Sequence, residues 1–344
     1  MDNIRKLREV LKTLPAFAKD YFRAIEPTTS TKTRISYAYD IRIFFQFLIS
    51  QNPSLAKIGI PNLNVSVLDQ LKPIDIEEYM EYLKLYDSPN DQTTITNGER
   101  GLKRKISSLR SFYTYYYKRQ AIETNPVQLV DMPKIHDKAI IRLDAGETAA
   151  LLDYIEHCGD QLTGQRKAYY EKTKLRDLAI VTLLLGTGIR VSECVGLDVE
   201  DIDFRNNGIR LIRKGGSEMV VYFGPEVEKA LKDYLEARKA ISPLEGHEHA
   251  LFYSTQRKRI GVQAVENLVK KYARAITTTK KITPHKLRST YGTTLYQETG
   301  DIYLVADVLG HKDVNTTKKH YAAMDDARRR KAATAIRLRE DYED

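Results

Sequence analysis

The sequence predicts a mainly α protein: a helical first domain, then an α-rich second domain that contains a small antiparallel β-sheet. Three observations carry that prediction. Apolar residues recur at helical spacing along most of the chain. Alternating β-branched runs are confined to the stretch between Val199 and Phe223, where two of them flank the Gly-Gly hairpin signal Lys214-Gly215-Gly216-Ser217. A mixed-charge stretch without periodicity, Asp131 to Arg142 with Pro133 inside it, separates two regions of different composition. At about 100–200 residues per domain the length suggests two domains, read here as a helical domain over 1–130, a linker over 131–143 and a second domain over 144–325 followed by a tail over 326–344.

The elements follow in order. Ser30 is placed to cap a helix running to about Ser50, with Ala38, Ile41, Phe45 and Leu48 on one side. Asp75 to Leu85, preceded by Pro73, is a second amphipathic stretch. Thr96-Asn97-Gly98-Glu99 has the form of a capping box and opens a third helix to about Tyr117, striped by Leu102, Ile106, Leu109, Tyr113 and Tyr116. Asp144-Ala145-Gly146-Glu147 starts a helix over 145–157, and another spans 174–186 before Gly186-Thr187-Gly188. Strands are expected over 199–204, 209–213 and 219–223, and helices over 225–240, 262–277, 284–298 and 302–309.

Composition narrows the functional classes. The chain carries 55 Lys+Arg against 46 Asp+Glu, a net charge of +9, which favours an anionic partner: nucleic acid, an acidic membrane face or acidic protein. Two cysteines, Cys158 and Cys194, are too few for a disulfide framework or a cysteine zinc site and read as small buried hydrophobes. Met1 to Lys12 has no apolar signal core, and the longest apolar run, Leu178 to Leu185, is far short of a membrane span. A soluble cytoplasmic protein is expected. Tryptophan is absent and tyrosine numbers 22, so the aromatics lean toward residues that also hydrogen-bond.

Basic helices in the first domain are candidates for DNA contact. Opposite the apolar stripe of the third helix lie Arg104, Ser107, Ser108 and Ser111, flanked by Lys103 and Lys105, and Lys32 and Arg34 stand near the start of the first. Cations beside small hydroxyl residues allow close approach to a phosphate strand. The other reading is a solvated polar face.

The second domain holds six residues whose contexts suit a single chemical purpose. They are Arg190, Lys214, His285, Arg288, His311 and Tyr321. Arg190 opens a helix just past Gly188 and needs an anion, either Glu193 or a ligand. Pro284 fits the first turn of a helix that Thr283 can cap, which places His285 where the helix dipole disfavours imidazolium. A neutral imidazole there accepts a proton. Arg288, three residues on, shares its face, and a guanidinium fork matches two phosphate oxygens, although His–Arg pairs at this spacing also arise by chance. Gly310 reads as a helix C-cap with His311 just beyond, and Asn315-Thr316-Thr317 starts a short helix carrying Tyr321. A phenol oxygen serves as a covalent nucleophile when a base and cations stabilise the phenolate, and otherwise is core filler. No metal is indicated: no His-Glu-x-x-His pattern occurs, and the carboxylates do not cluster near His285 or His311. No Gly-rich loop ending in Gly-Lys-Ser/Thr is present, so no cofactor is implied.

The order Arg, Lys, His-x-x-Arg, His, Tyr closely resembles the tyrosine recombinases, or phage integrase family. Gly188-Ile189-Arg190-Val191-Ser192-Glu193 resembles the first arginine box, Pro284-His285-Lys286-Leu287-Arg288 the second, and Leu309-Gly310-His311 with Thr316-Thr317 and Tyr321 the third. The region from Tyr21 to Asn125 is similar to the family's core-binding domain, and the two-domain layout is similar to Xer-type members. Ser289 stands where many members carry a further histidine, and the interval from His311 to Tyr321 is one position longer than is common.

The resemblance implies that Tyr321 attacks a DNA phosphodiester to form a 3′-phosphotyrosyl link. Arg190, Arg288 and His311 would hold the phosphate, His285 would take the tyrosine proton and Lys214 would protonate the 5′ oxygen. It also implies inverted-repeat duplex sites, a homotetramer on two duplexes, a Holliday junction and a second recombinase or accessory protein as a further partner. Xer-like chromosome dimer resolution and mobile-element integration both fit. A non-catalytic architectural DNA-binding protein and a type IB topoisomerase-like relaxing enzyme are the alternatives.

Overall fold

A computed structural model describes residues 2–87, 93–136, 140–213, 216–311, 313 and 314. The chain divides into two compact units, Met1–Lys138 and Ala139–Asp344. Among the described residues there are fourteen α-helices and two small antiparallel sheets, so the mainly α class holds.

The first unit contains α1 (Asp2–Lys12), α2 (Ala18–Ala24), α3 (Thr31–Gln51), α4 (Pro53–Ile58), α5 (Pro73–Tyr82), strands β1 (Leu85–Asp87) and β2 (Thr94–Thr96), α6 (Glu99–Lys118) and α7 (Pro126–Leu129). Ser30 caps α3 as expected, accepting from the Thr33 N–H at 3.2 Å. Helix α3 packs on α1 and α6. Helices α2, α3, α5 and α6 contribute an aromatic core in which Tyr21–Phe112 and Phe44–Tyr79 meet edge to face, both at 5.1 Å. Such pairs add about 0.5–1.5 kcal/mol each beyond area burial. The tyrosine bias has its expected use: the buried Tyr116 hydroxyl donates to the Phe17 carbonyl at 2.8 Å, and that of Tyr21 to Ser111 Oγ at 2.9 Å.

Several expectations for this unit are corrected. Thr96 does not cap a helix. It pairs with Leu85 in the β1–β2 hairpin, and α6 begins two residues after Asn97 with Gly98 at its N-cap. The Glu99 carboxylate accepts instead from the His136 backbone N–H at 2.8 Å. Helix α5 stops at Tyr82, because Leu85 belongs to a strand. Helices α1 and α2 were not expected; α1 buries only Leu7 and Val10, so its apolar signal is thin.

The second unit contains α8 (Ala145–His157), α9 (Gly164–Thr187), α10 (Val191–Gly196), strands β3 (Ile202–Asp203), β4 (Gly208–Ile212) and β5 (Glu218–Tyr222), α11 (Pro225–Arg238), α12 (Val262–Ile276), α13 (Pro284–Thr299) and α14 (Ile302–Leu309). The capping box of α8 forms in both directions, Glu147 N–H to Asp144 at 2.8 Å and Asp144 N–H to Glu147 at 2.9 Å. Helix α9 is the spine, packed by α8, α11 and α13. It begins at Gly164, earlier than expected, since its polar first turns bury little besides Tyr170 and Thr173. The strand expected over 199–204 shrinks to β3, because Val199–Asp201 coils into a 3₁₀ turn in which Asp201 accepts from the Asp198 N–H at 2.9 Å. Strand order is β3-β4-β5, antiparallel throughout, with Gly208 opposite Tyr222 and Ile212 opposite Glu218. Cys194 is buried and Cys158 half-buried, and both are free thiols; burial pushes the Cys194 thiol up to about 12.

Candidate active site

Two left-handed helix ends frame the site. Helix α9 closes on Gly188 with φ +62°, and α14 on Gly310 with φ +61°. Both positions require glycine twice over. A Cβ on Gly188 would run into the Tyr291 ring, and one on Gly310 into the Arg213 guanidinium.

Past Gly188, Ile189 anchors in the core and Arg190 becomes the N-cap of α10. The Arg190 backbone N–H and Nη1 both donate to Glu193, each at 2.7 Å. Its guanidinium stays 40% exposed while Glu193 is 8% exposed, so the carboxylate holds the arginine from the protein side. Arg190 Nη2 donates to the Gly310 carbonyl at 3.3 Å.

Helix α13 starts with Pro284 and carries an exposed His285 in its first turn. Thr283 sits at the N-cap, but its side chain makes no capping bond; its carbonyl accepts from Lys286 and Leu287. One turn on, Arg288 is buried, and its guanidinium donates to the carbonyls of Gly188 and Leu309, tying the two left-handed ends together. His311 follows Gly310 and is half-buried, its N–H donating to the Ala306 carbonyl at 2.9 Å.

A third arginine joins them. Arg213 follows β4, and its Nη2 donates to the Val308 carbonyl at 2.8 Å. Burial pulls its pKa below the ordinary guanidinium value, Glu193 opposes that shift and Arg190 adds to it. Three guanidiniums thus take the successive carbonyls 308, 309 and 310 at the end of α14, where helix carbonyls lack partners within the helix. A cavity of about 1220 Å³ opens beside them, lined by Arg190, Glu193, Arg213, Ser217, Gly310 and His311 among others. The arrangement offers fixed cations and an imidazole to one anion. No group of three or more His, Cys, Asp or Glu among the described residues is arranged to hold a metal ion, and no described helix is long and apolar enough to cross a membrane.

The family model described as Phage integrase family matches residues 142–328. The chain belongs to this family. Tyrosine recombinase XerC of Caldanaerobacter subterraneus subsp. tengcongensis is 33% identical over 94% of this chain and 87% of its own length. Tyrosine recombinase XerS of Streptococcus equi subsp. zooepidemicus is 30% identical over 91% and 93%. The fold matches a Tn1549 transposon integrase bound to transposon right end DNA, with TM-score 0.65 and 21% identity over 92% of this chain and 98% of that one. It also matches the XerH site-specific recombinase bound to palindromic difH substrate, with TM-score 0.64 and 18% identity over 88% and 79%. The protein is a tyrosine recombinase, an enzyme of site-specific DNA recombination. Neither the architectural nor the topoisomerase-like reading gains support from these relatives.

Of the six residues expected in the recombinase site, the structure gathers Arg190, Arg288 and His311 around the end of α14 and places His285 one helical turn from Arg288. Lys214 and Tyr321 lie outside the described residues, as do the short helix from Asn315 and the tail over 326–344.

The first-unit candidates separate. Lys32 and Ser107 are exposed and Lys103 is half-buried. Arg34 is only 11% exposed and pairs with Glu26 at 2.9 Å. Lys105 is a correction: it is buried, with its ammonium 3.3 Å from the buried Asp40, so it is not on the polar face. Arg104 holds the same carboxylate with two nitrogens and stays half exposed. Ser108 is also buried, because Phe112 widens the apolar face beyond the single stripe.

Arg213 was missed. The signal was available in the strand alternation, which places it on the same face as the buried Ile209 and Leu211.

Proposed function

We propose that Tyr321 attacks a DNA phosphodiester and forms a 3′-phosphotyrosyl bond, which the 5′-hydroxyl of a partner strand later reverses through a Holliday junction. Arg190 and Arg288 hold the non-bridging oxygens, whose charge grows in the transition state. His311 adds a hydrogen bond to the same phosphate. His285 takes the tyrosine proton, and Lys214 gives a proton to the leaving 5′ oxygen. The observation that carries this reading is the convergence of Arg190, Arg288 and the His311 segment on one helix end.

In the same reading, residues 1–130 grip duplex DNA, 131–143 link, 144–325 catalyse and 326–344 pack on a neighbouring protomer of a homotetramer in the cytoplasm. The substrate is an inverted-repeat core site, bound alone or with a second recombinase or accessory protein. Exposed Lys32 and Ser107, half-buried Lys103 and the half-exposed Arg104 are the first-unit residues offered to the backbone.

Nicked suicide duplex DNA tests the chemistry. The full chain yields an SDS-resistant adduct and Tyr321→Phe yields none; an adduct that survives Tyr321→Phe would falsify the assignment. Binding to duplex DNA is steeply salt-dependent: if about 8 phosphates are neutralised per protomer, log K falls with a slope of about −7 against log salt. A chain ended at Met324 binds DNA but does not assemble, and normal recombination by it would remove the exchanging tail from the reading.

A further inference from the structure

Arg213 is a largely enclosed cation beside the site that the proposed reaction leaves without a role. Its side chain is 10% exposed, its Nη2 donates to the Val308 carbonyl at 2.8 Å and its Nε lies 4.0 Å from Glu193 Oε1. That Nε finds no hydrogen-bond acceptor among the described residues. Keeping a guanidinium in such a place is costly, and water would satisfy a helix-end carbonyl more cheaply. The backbone of the same residue closes the hairpin: Arg213 N–H donates to the Ser217 carbonyl at 2.9 Å, and its own carbonyl accepts from the Gly216 N–H at 2.9 Å. Gly310, against which the guanidinium lies, is followed directly by His311.

We infer that Arg213 is a positioning residue that fastens the end of β4 to the carboxyl end of α14, so that the chain running on to Lys214 and the chain running on to His311 leave from one buried anchor. The inference rests on the reading in which Lys214 is the proton donor. In that step the Tyr321 oxygen–phosphorus bond forms and the phosphorus–5′ oxygen bond breaks. The tyrosyl proton passes to His285, and a Lys214 proton goes to the 5′ oxygen. A displacement of about 1 Å in a reacting group costs about 10²-fold in rate. Loosening the anchor therefore damages protonation of the leaving group first.

The test is single-turnover cleavage by the full chain on two suicide duplexes, one ordinary and one with a 5′-bridging phosphorothiolate at the scissile position, whose sulfur leaves without a proton. Arg213→Ala is expected to lose about 10²-fold on the oxygen substrate and to return to within about 5-fold of the unmodified chain on the sulfur substrate. Lys214→Ala recovers in the same way, and Arg190→Ala does not. Arg213→Lys, which keeps the charge but offers a point donor instead of a fork, falls between.

If Arg213→Ala is equally slow on both substrates while Lys214→Ala recovers, the inference fails and the reading of Lys214 stands. If Lys214→Ala does not recover, that reading fails and takes the inference with it. Unaltered oxygen-substrate cleavage by Arg213→Ala, or loss of cooperative melting in both Arg213 variants, also overturns it, the second by reducing Arg213 to a structural cap.

Discussion

Two buried charges, one in each unit, are held in opposite ways. In the first, Asp40 is 2% exposed and meets two cations, Arg104 through two nitrogens and Lys105 at 3.3 Å. In the second, Arg288 is 6% exposed and gives two of its donors to backbone carbonyls, those of Gly188 and Leu309. A carboxylate closed between cations is a clamp that has finished its electrostatic work. A guanidinium held by carbonyls is oriented by acceptors that carry no formal charge, so an incoming phosphate oxygen adds to what is there without displacing an ion partner at those bonds. Asp40 thus fixes a helix pair within the first unit, and in the proposed reaction the Arg288 fork is the one that meets the phosphate.

Substitutions sharpen that contrast. The largest effect belongs to Arg288→Lys, which keeps a charge and loses the fork: cleavage of suicide DNA is expected to fall by about 10²–10³-fold in single-turnover assays. Cleavage within a few-fold of the unmodified chain would mean that Arg288 only braces the two helix ends. Asp40→Ala leaves Lys105 buried without its counter-charge and should cost about 3–5 kcal/mol in urea unfolding. The double variant Asp40→Leu/Lys105→Met recovers most of that loss, and a single-variant cost below about 1 kcal/mol would break the clamp description.

The smallest effect is at the surface. His136 lies 2.6 Å from Glu99, whose hydrogen bond and charge raise the imidazole pKa above its ordinary value. Its contribution to stability is present at low pH and disappears as pH rises through the folded-state value. An NMR titration should find His136 titrating high and Glu99→Gln returning it to the ordinary range. No change in Glu99→Gln would rule out the pair as the cause of the shift.

What was legible in the sequence depended on how local the determinant is. Asp144 and Glu147 cap each other across three residues, and Gly188 and Gly310 mark backbone turns that other residues enter at a cost, so these ends were readable. The boxes around Arg190, around His285 and Arg288, and around His311 are readable because each is a short run. Thr96 misled because the signal for a cap is also compatible with a strand, and its partner Leu85 is distant in sequence. Lys105 misled for the same reason, since the residue that draws it inward, Asp40, belongs to another helix. Arg213 is the reverse case: the alternation that turns it inward is local, but a charge on an inward position carries no motif.

The guanidiniums at the end of α14 carry a consequence for the time before DNA arrives. Arg190 and Arg213 repel one another enough that Arg190 helps lower the Arg213 pKa. The carboxyl end of a helix carries about half a negative elementary charge, and α14 presents that end to all three arginines. The peptide dipoles therefore add to the Glu193 carboxylate a built-in counter-field that holds these like charges together. The work of assembling them is done during folding, and it need not be repeated at each scissile phosphate.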